Sequence, residues 1–176
     1  MSRIATVAAA QMGPIEKDEP RQSTIARMIS MMRQAKERGA DLIVYPELAL
    51  TTFFPRYWMD NQEDVDAYFE REMPGPATQP LFDEAAKLGV GFNLGYAELT
   101  EENGRTRHFN TAIIVDREGK IAGKYRKVHL PGHHEHEPWR PFQHLEKAYF
   151  EPGNLGFPVF KTMDGVMGMC ICNDRR

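Results

Sequence analysis

The chain has 176 residues, 41% of them hydrophobic and 27% charged, which is the size and composition of one ordinary domain with an apolar core and excludes a fibrous or disordered segment. With 22 Lys and Arg against 25 Asp and Glu the formal net charge is -3, so no basic field draws in nucleic acid or anionic lipid. No apolar stretch reaches the length of a membrane span, and the spacing of the two cysteines, Cys170 and Cys172, disfavours a disulfide between them, so two free thiols are expected, in keeping with a reducing cytoplasm.

The opening segment from Met1 to Gln11 is too short and too weakly charged for a signal peptide and reads as a buried first strand. Pro20 to Gly39 reads as a helix, because Ile25, Met28, Ile29 and Met32 recur on one face and Gly39 supplies a stop. Asp41 to Tyr45 follows as a strand covered on both faces, ended by Pro46, which places Glu47 just past a strand's carboxyl end. Residues 48 to 76 are aromatic, acidic and proline-punctuated, and are read as irregular with a short helix around Asp64 to Arg71.

A second helix from Pro80 to Leu88, stopped by Gly89, leads into a strand from Val90 to Glu98, and the alternation of strands and helices indicates an α/β layered fold. Asn110 to Asp116 and Lys120 to Tyr125 form a hairpin through Asp116-Arg-Glu-Gly119, with Lys127 just beyond it. The proline-rich and histidine-rich stretch from Pro131 to Pro158 is a long loop, of the kind that is usually functional or disordered. Two strands around the turn Met163-Asp164-Gly165 close the chain and carry Cys170 and Cys172 on one strand face, with Cys170 expected in the core.

Glu47, Lys127 and Cys172 each follow or end an expected strand, and in open α/β sheets ligands bind at the carboxyl ends of strands. A cysteine nucleophile needs a base for its proton and a cation or hydrogen-bond donor for the oxyanion it creates, roles that Glu47 and Lys127 can fill. The alternative is a solvated Glu47, a surface Lys127 and a small buried Cys172. The cluster His133-His-Glu-His-Glu137 invites a zinc reading with the cysteines, but the spacing matches no standard ligand set.

Three local sequences, Leu42-Ile-Val-Tyr-Pro-Glu-Leu48, Gly123-Lys-Tyr-Arg-Lys-Val-His-Leu130 and Gly168-Met-Cys-Ile-Cys-Asn-Asp-Arg175, resemble the nitrilase superfamily of carbon-nitrogen hydrolases. The resemblance runs from Ile4 onward and is greatest to the N-carbamoyl-D-amino acid amidohydrolases, or D-carbamoylases. It implies a single domain over residues 1–176 with the four-layer αββα sandwich, C-terminally incomplete because family members continue well past the nucleophile. It further implies Cys172 as nucleophile, Glu47 as general base, Lys127 as oxyanion stabiliser and Glu146 as a second active-site carboxylate.

His129 and His144 are implied as residues supporting the site, with satisfied polar residues that hold the long loop as the alternative, and Asn173, Arg175 and Arg176 are implied as substrate-binding. A guanidinium can grip a carboxylate through two parallel hydrogen bonds, although a solvated arginine pair is the plain alternative. No metal or other cofactor is implied. The expected reaction is hydrolysis of a small-molecule substrate, an N-carbamoyl-D-amino acid, to D-amino acid, carbon dioxide and ammonia, by an intact enzyme that is a homo-oligomer. Other expectations to be weighed are another carbon-nitrogen hydrolase, such as an amidase, a carbamoyl-amine hydrolase or a nitrilase, and a non-catalytic piece that docks on a partner through an uncovered sheet or helix face.

Overall fold

Two parallel crossovers and a long meander build one sheet. The computed structural model describes residues 4–175, in which β1 (Val7–Ala9), β2 (Leu42–Val44), β3 (Gly91–Glu102), β4 (Arg105–Val115) and β5 (Ile121–Arg126) lie side by side in chain order. Helix α1 (Arg21–Glu37) connects β1 to β2, while α2 (Gln62–Asp66) and α3 (Gln79–Leu88) lie between β2 and β3. β1, β2 and β3 are parallel, and β3, β4 and β5 are antiparallel. No helix among the described residues is long and apolar enough to cross a membrane.

The period-two alternation of a strand gives the sheet two different faces. Ile43, Phe92, Leu94, Ile113 and Val115 point to one of them and pack with Ile25, Met28 and Met32 of α1 and Leu81, Phe82 and Ala85 of α3 in a single buried cluster. This is the stripe that the helical periodicity of α1 predicted, and the helix layer and first sheet follow the α/β order expected. The other face carries the cross-strand rows Gly95, Ala112, Tyr125 and Asn93, Ile114, Gly123. Gly123 leaves room there for the hairpin of β6 (Val159–Thr162) and β7 (Gly165–Gly168), whose Phe160 ring lies over it.

Several expectations are corrected by tertiary position. β1 is not buried: Val7 is 55% exposed, because β1 is an edge strand with a partner on one side only. The helix expected around Asp64 to Arg71 is α2, over Gln62–Asp66, preceded by a 3₁₀ turn at Phe54–Arg56. β3 and β4 extend well beyond the expected Glu98 and Asn110, joined at Asn103-Gly104, where both residues have positive φ (55° and 73°), as a tight twisted hairpin turn requires. Strand β7 ends at Gly168, so neither Cys170 nor Cys172 lies on a strand, and both are exposed. Cys170 is therefore not a core residue.

The extension of β3 and β4 buries a charged cluster on the helix side of the sheet. Glu98 and Arg126 are 5% and 4% exposed and pair through two bonds, Nε to Oε2 at 2.8 Å and Nη2 to Oε1 at 2.9 Å. Lys124 Nζ and Thr111 Oγ1 also donate to Glu98, and the Arg126 guanidinium lies 4.0 Å from the centre of the Phe109 ring. Burial by itself would raise the Glu98 pKa, but the bonds from Arg126, Lys124 and Thr111 outweigh it and hold the carboxyl at about 2. A carboxyl depressed in the folded state contributes stability that is complete above its unfolded pKa, about 4.3, and is lost as pH falls toward the folded value. The urea midpoint is thus expected to fall between about pH 4 and about pH 2. Glu98→Gln should be less stable at neutral pH and lose less over that window; an identical acid profile would contradict the assignment.

Candidate active site

The first residue of the site stands where the chain leaves β2. Pro46 ends the strand, Leu48 takes a positive φ of 50°, and Ala49 N–H donates to the Gly95 carbonyl at 2.8 Å, which pulls the turn onto β3. Gly95 is required there, since a Cβ would lie 3.0 Å from Glu47 Cα and from the Pro46 oxygen. Glu47 is so pressed against the second face of the sheet at the carboxyl end of a parallel strand, the usual ligand-binding edge of such sheets.

Lys127 comes from the other side of the same edge. It follows β5 directly, and its N–H continues the ladder by donating to the Asn110 carbonyl at 2.8 Å. The side chain is fully buried, which rules out the surface-lysine alternative. Its Nζ donates to Glu47 Oε1 at 2.6 Å and to Glu146 Oε2 at 2.7 Å. Burial works against the lysine charge, but Glu47 and Glu146 overcome it and hold the ammonium pKa above its ordinary value. Glu146, 1% exposed, opens the one-turn helix α4 (Glu146–Tyr149), and its Oε1 lies 2.9 Å from His144 Nε2. The His144 ring in turn packs edge-on against Phe53 at 5.7 Å. The long loop before α4 thus delivers a carboxylate and a supporting histidine to the lysine.

Cys172 arrives on a sharp 3₁₀ turn, Cys172–Arg175, with φ of 46°. The turn is held by Asp174, whose carboxylate accepts from Ile171 N at 3.1 Å, Val128 N at 3.2 Å, His129 N at 2.8 Å and lies 3.0 Å from His129 Nδ1. Burial opposes the Asp174 charge, yet these bonds and the nearby Tyr125 hydroxyl leave its pKa below the ordinary carboxyl value. Asn173 Nδ2 donates to the His129 carbonyl at 3.2 Å, so His129 and Asn173 brace the turn. A cavity of about 130 Å³ has both Glu47 and Cys172 in its wall, with Asn93, Gly95 and Cys170. A second, of about 270 Å³, opens on the Phe53, Arg56 and Tyr57 side of Glu47.

Of the sequence candidates, the structure joins Glu47, Lys127, Glu146 and His144 in one hydrogen-bonded chain and sets Cys172 on a cavity shared with Glu47. Arg175 is exposed at the end of the turn, and Arg176 lies outside the described residues. Among the described residues no three His, Cys, Asp or Glu side chains are arranged to hold a metal.

The profile of the carbon-nitrogen hydrolase family matches residues 6–176. The chain belongs to that family. Within it, the chain is 31% identical to an N-carbamoylputrescine amidase of Solanum lycopersicum over 99% of its own length and 52% of the relative's. It is 34% identical to a nitrilase of Pyrococcus abyssi, covering 97% of the chain and 56% of the relative. The crystal structure of a carbon-nitrogen hydrolase from Helicobacter pylori superposes with a TM-score of 0.69 at 26% identity, over 97% of this chain and 52% of that one. The chain spans about half the length of the curated relatives it matches.

Two residues of this candidate site had no role in the sequence reading. Asp174 sits inside the quoted Cys172-Asn-Asp-Arg175 motif, and its position beside the thiol was the available signal. Asn110 lies near the start of a fully buried strand stretch, Phe109 to Val115, where a buried amide calls for a specific partner. That partner is Glu47, to whose Oε1 the Asn110 Nδ2 donates at 2.7 Å.

Proposed function

We propose that Cys172, Glu47 and Lys127 are the nucleophile, general base and oxyanion-stabilising cation of a hydrolase acting on the carbonyl carbon of an N-carbamoyl compound. The observation that supports this best is the fully buried Lys127 clamped between Glu47 and Glu146 while Glu47 shares a cavity with an exposed thiol. A purely structural ion pair has no use for a reactive group at its open side. Lys127 commits one N–H to each carboxylate and retains a third for an oxyanion.

Glu47 Oε1 takes both the Lys127 and the Asn110 donors, which leaves Oε2 for proton transfer. In the reaction, the Cys172 proton passes to Glu47 as sulfur adds to the carbamoyl carbon, and the new oxyanion is met by Lys127. Collapse of the adduct breaks a carbon-nitrogen bond, the departing amine takes the proton from Glu47, and a thioester remains on Cys172. Water then gives a proton to Glu47 and adds to the thioester. Collapse breaks the carbon-sulfur bond and returns the proton to the thiol, and the free carbamate falls to carbon dioxide and the second amine.

The finer reading is an N-carbamoyl-D-amino acid as substrate. It is supported by Arg175, exposed three residues after Cys172, a position from which its guanidinium would attract an α-carboxylate and repel the free ammonium of N-carbamoylputrescine. An ion pair at an exposed guanidinium is worth about 0.2–1 kcal/mol. N-carbamoyl-D-phenylglycine is therefore expected to surpass both its amide and N-carbamoylputrescine in kcat/KM by roughly 1.5- to 5-fold. Ammonia release measured with the three compounds decides the point. Equal rates for acid and amide would remove the carboxylate clamp, and a preference for N-carbamoylputrescine would place the chain with the amidases it matches.

A further inference from the structure

Asn110 touches both partners of the buried pair at once. Its Nδ2 donates to Glu47 Oε1 at 2.7 Å, and its own carbonyl accepts the Lys127 backbone N–H at 2.8 Å. It lies fully buried on β4, paired across the sheet with Ala97. We propose that Asn110 is a positioning residue that makes Glu47 a one-sided base. This rests on the reading of Glu47 as the base for Cys172.

Three observations carry it. First, among the described residues both donors that reach Glu47, Lys127 Nζ and Asn110 Nδ2, go to Oε1, so the carboxylate is fixed in rotation and Oε2 remains for a proton. Second, the Asn110 Oδ1 atom is buried and without a hydrogen-bond partner among the described residues. A residue kept only for packing would be served better by an apolar side chain or by an amide satisfied at both ends. An amide that bears an orphan acceptor while its donor meets a carboxylate is spent on that donor. Third, the amide is neutral. It holds the Glu47 anion without a second positive charge to compete with Lys127, and it adds no negative charge to a pocket that already contains Glu146.

The backbone bond extends the role. Because Lys127 N–H is fastened to the carbonyl of the residue that orients Glu47, base and cation keep a common reference on β4, and their separation is insulated from movement of the loops that carry Glu47 and Glu146.

The test reads the reactivity of Cys172 directly, in a Cys170→Ala background where one cysteine remains. The rate of alkylation of Cys172 by iodoacetamide is measured across the acid and neutral pH range, with circular dichroism to establish folding. Asn110→Asp keeps the shape but sets a second carboxylate against Glu47, so the pair holds a proton to higher pH. The acid limb of the alkylation profile is expected to move up by about one pH unit or more, slowing alkylation below it roughly tenfold. Asn110→Ala, which removes the donor without adding charge, should move the limb in the same direction by less. It carries the test by itself if Asn110→Asp does not fold.

A folded Asn110 variant with an unmoved limb overturns the inference, because loss of a merely structural amide would change stability and leave the pH profile in place. Glu47→Gln separates the two readings. If it changes the profile and the Asn110 variants do not, only the positioning role fails. If Glu47→Gln leaves the profile unchanged, Glu47 is not the base for Cys172, and both readings fall together.

Discussion

Cys172→Ala is expected to suppress ammonia release from an N-carbamoyl substrate by about 10⁴- to 10⁶-fold, the scale on which loss of a covalent nucleophile is felt, while Cys170→Ala keeps most of the activity. Both thiols are exposed and both line the cavity with Glu47, so exposure does not separate them. The backbone does. Cys172 sits in the left-handed region at φ 46° on a turn tied down by Asp174, and a non-glycine residue there costs about 1–3 kcal/mol, a strain that characteristically collects at functional sites. Cys172→Gly should accordingly keep or raise the thermal midpoint while losing turnover. Cys172→Ser should also fail, because a hydroxyl is far less ionised than a thiol near neutral pH. Equal losses at both cysteines would sink the assignment.

Lys127→Met should give the largest loss of stability of any single change in the site, about 3–5 kcal/mol, the usual result of leaving a buried charge without its partner. The stranded group is Glu146, 1% exposed and bound to the lysine at 2.7 Å, with Glu47 at 2.6 Å on the other side. Two carboxylates that share one cation must then take up protons to remain inside. The loss should therefore be greater at neutral pH than at mildly acid pH. Adding Glu146→Gln to Lys127→Met should recover part of the loss, so that the two changes are non-additive. Urea midpoints of the two single variants and the double variant measure this. Strict additivity would mean that Lys127 and Glu146 do not stabilise one another.

Much of the architecture was legible because it is written in local periodicity. The stripe of Ile25, Met28 and Met32 specified α1, the apolar run Leu42-Ile-Val44 specified β2, and Gly89 stopped α3 with a φ of 60°. The outer halves of β3 and β4 were missed although Asn103-Gly104 is a strong hairpin signal, because their alternation is polar and charged from Thr100 to His108 and shows no apolar face to read. Only pairing across the sheet, Thr100 with Arg107 and Glu101 with Thr106, makes strands of them.

By itself the sequence determined which candidate site residues this protein has and where in an α/β chain they fall: Glu47 after a strand, Lys127 after a hairpin, Cys172 in a motif that resembles those of carbon-nitrogen hydrolases. The tertiary structure decided what each of them is. Lys127 became a buried cation and not a surface one, Cys170 an exposed thiol and not a core one, β1 an edge and not an interior strand, and Asn110 and Asp174 members of the site. The physical reason is range. Helical and strand periodicity follows from neighbours a few residues apart, whereas burial and charge pairing come from contacts such as Lys127 with Glu47, 80 residues away along the chain, and with Glu146, 19 away, which exist only once the sheet has brought those segments to one edge.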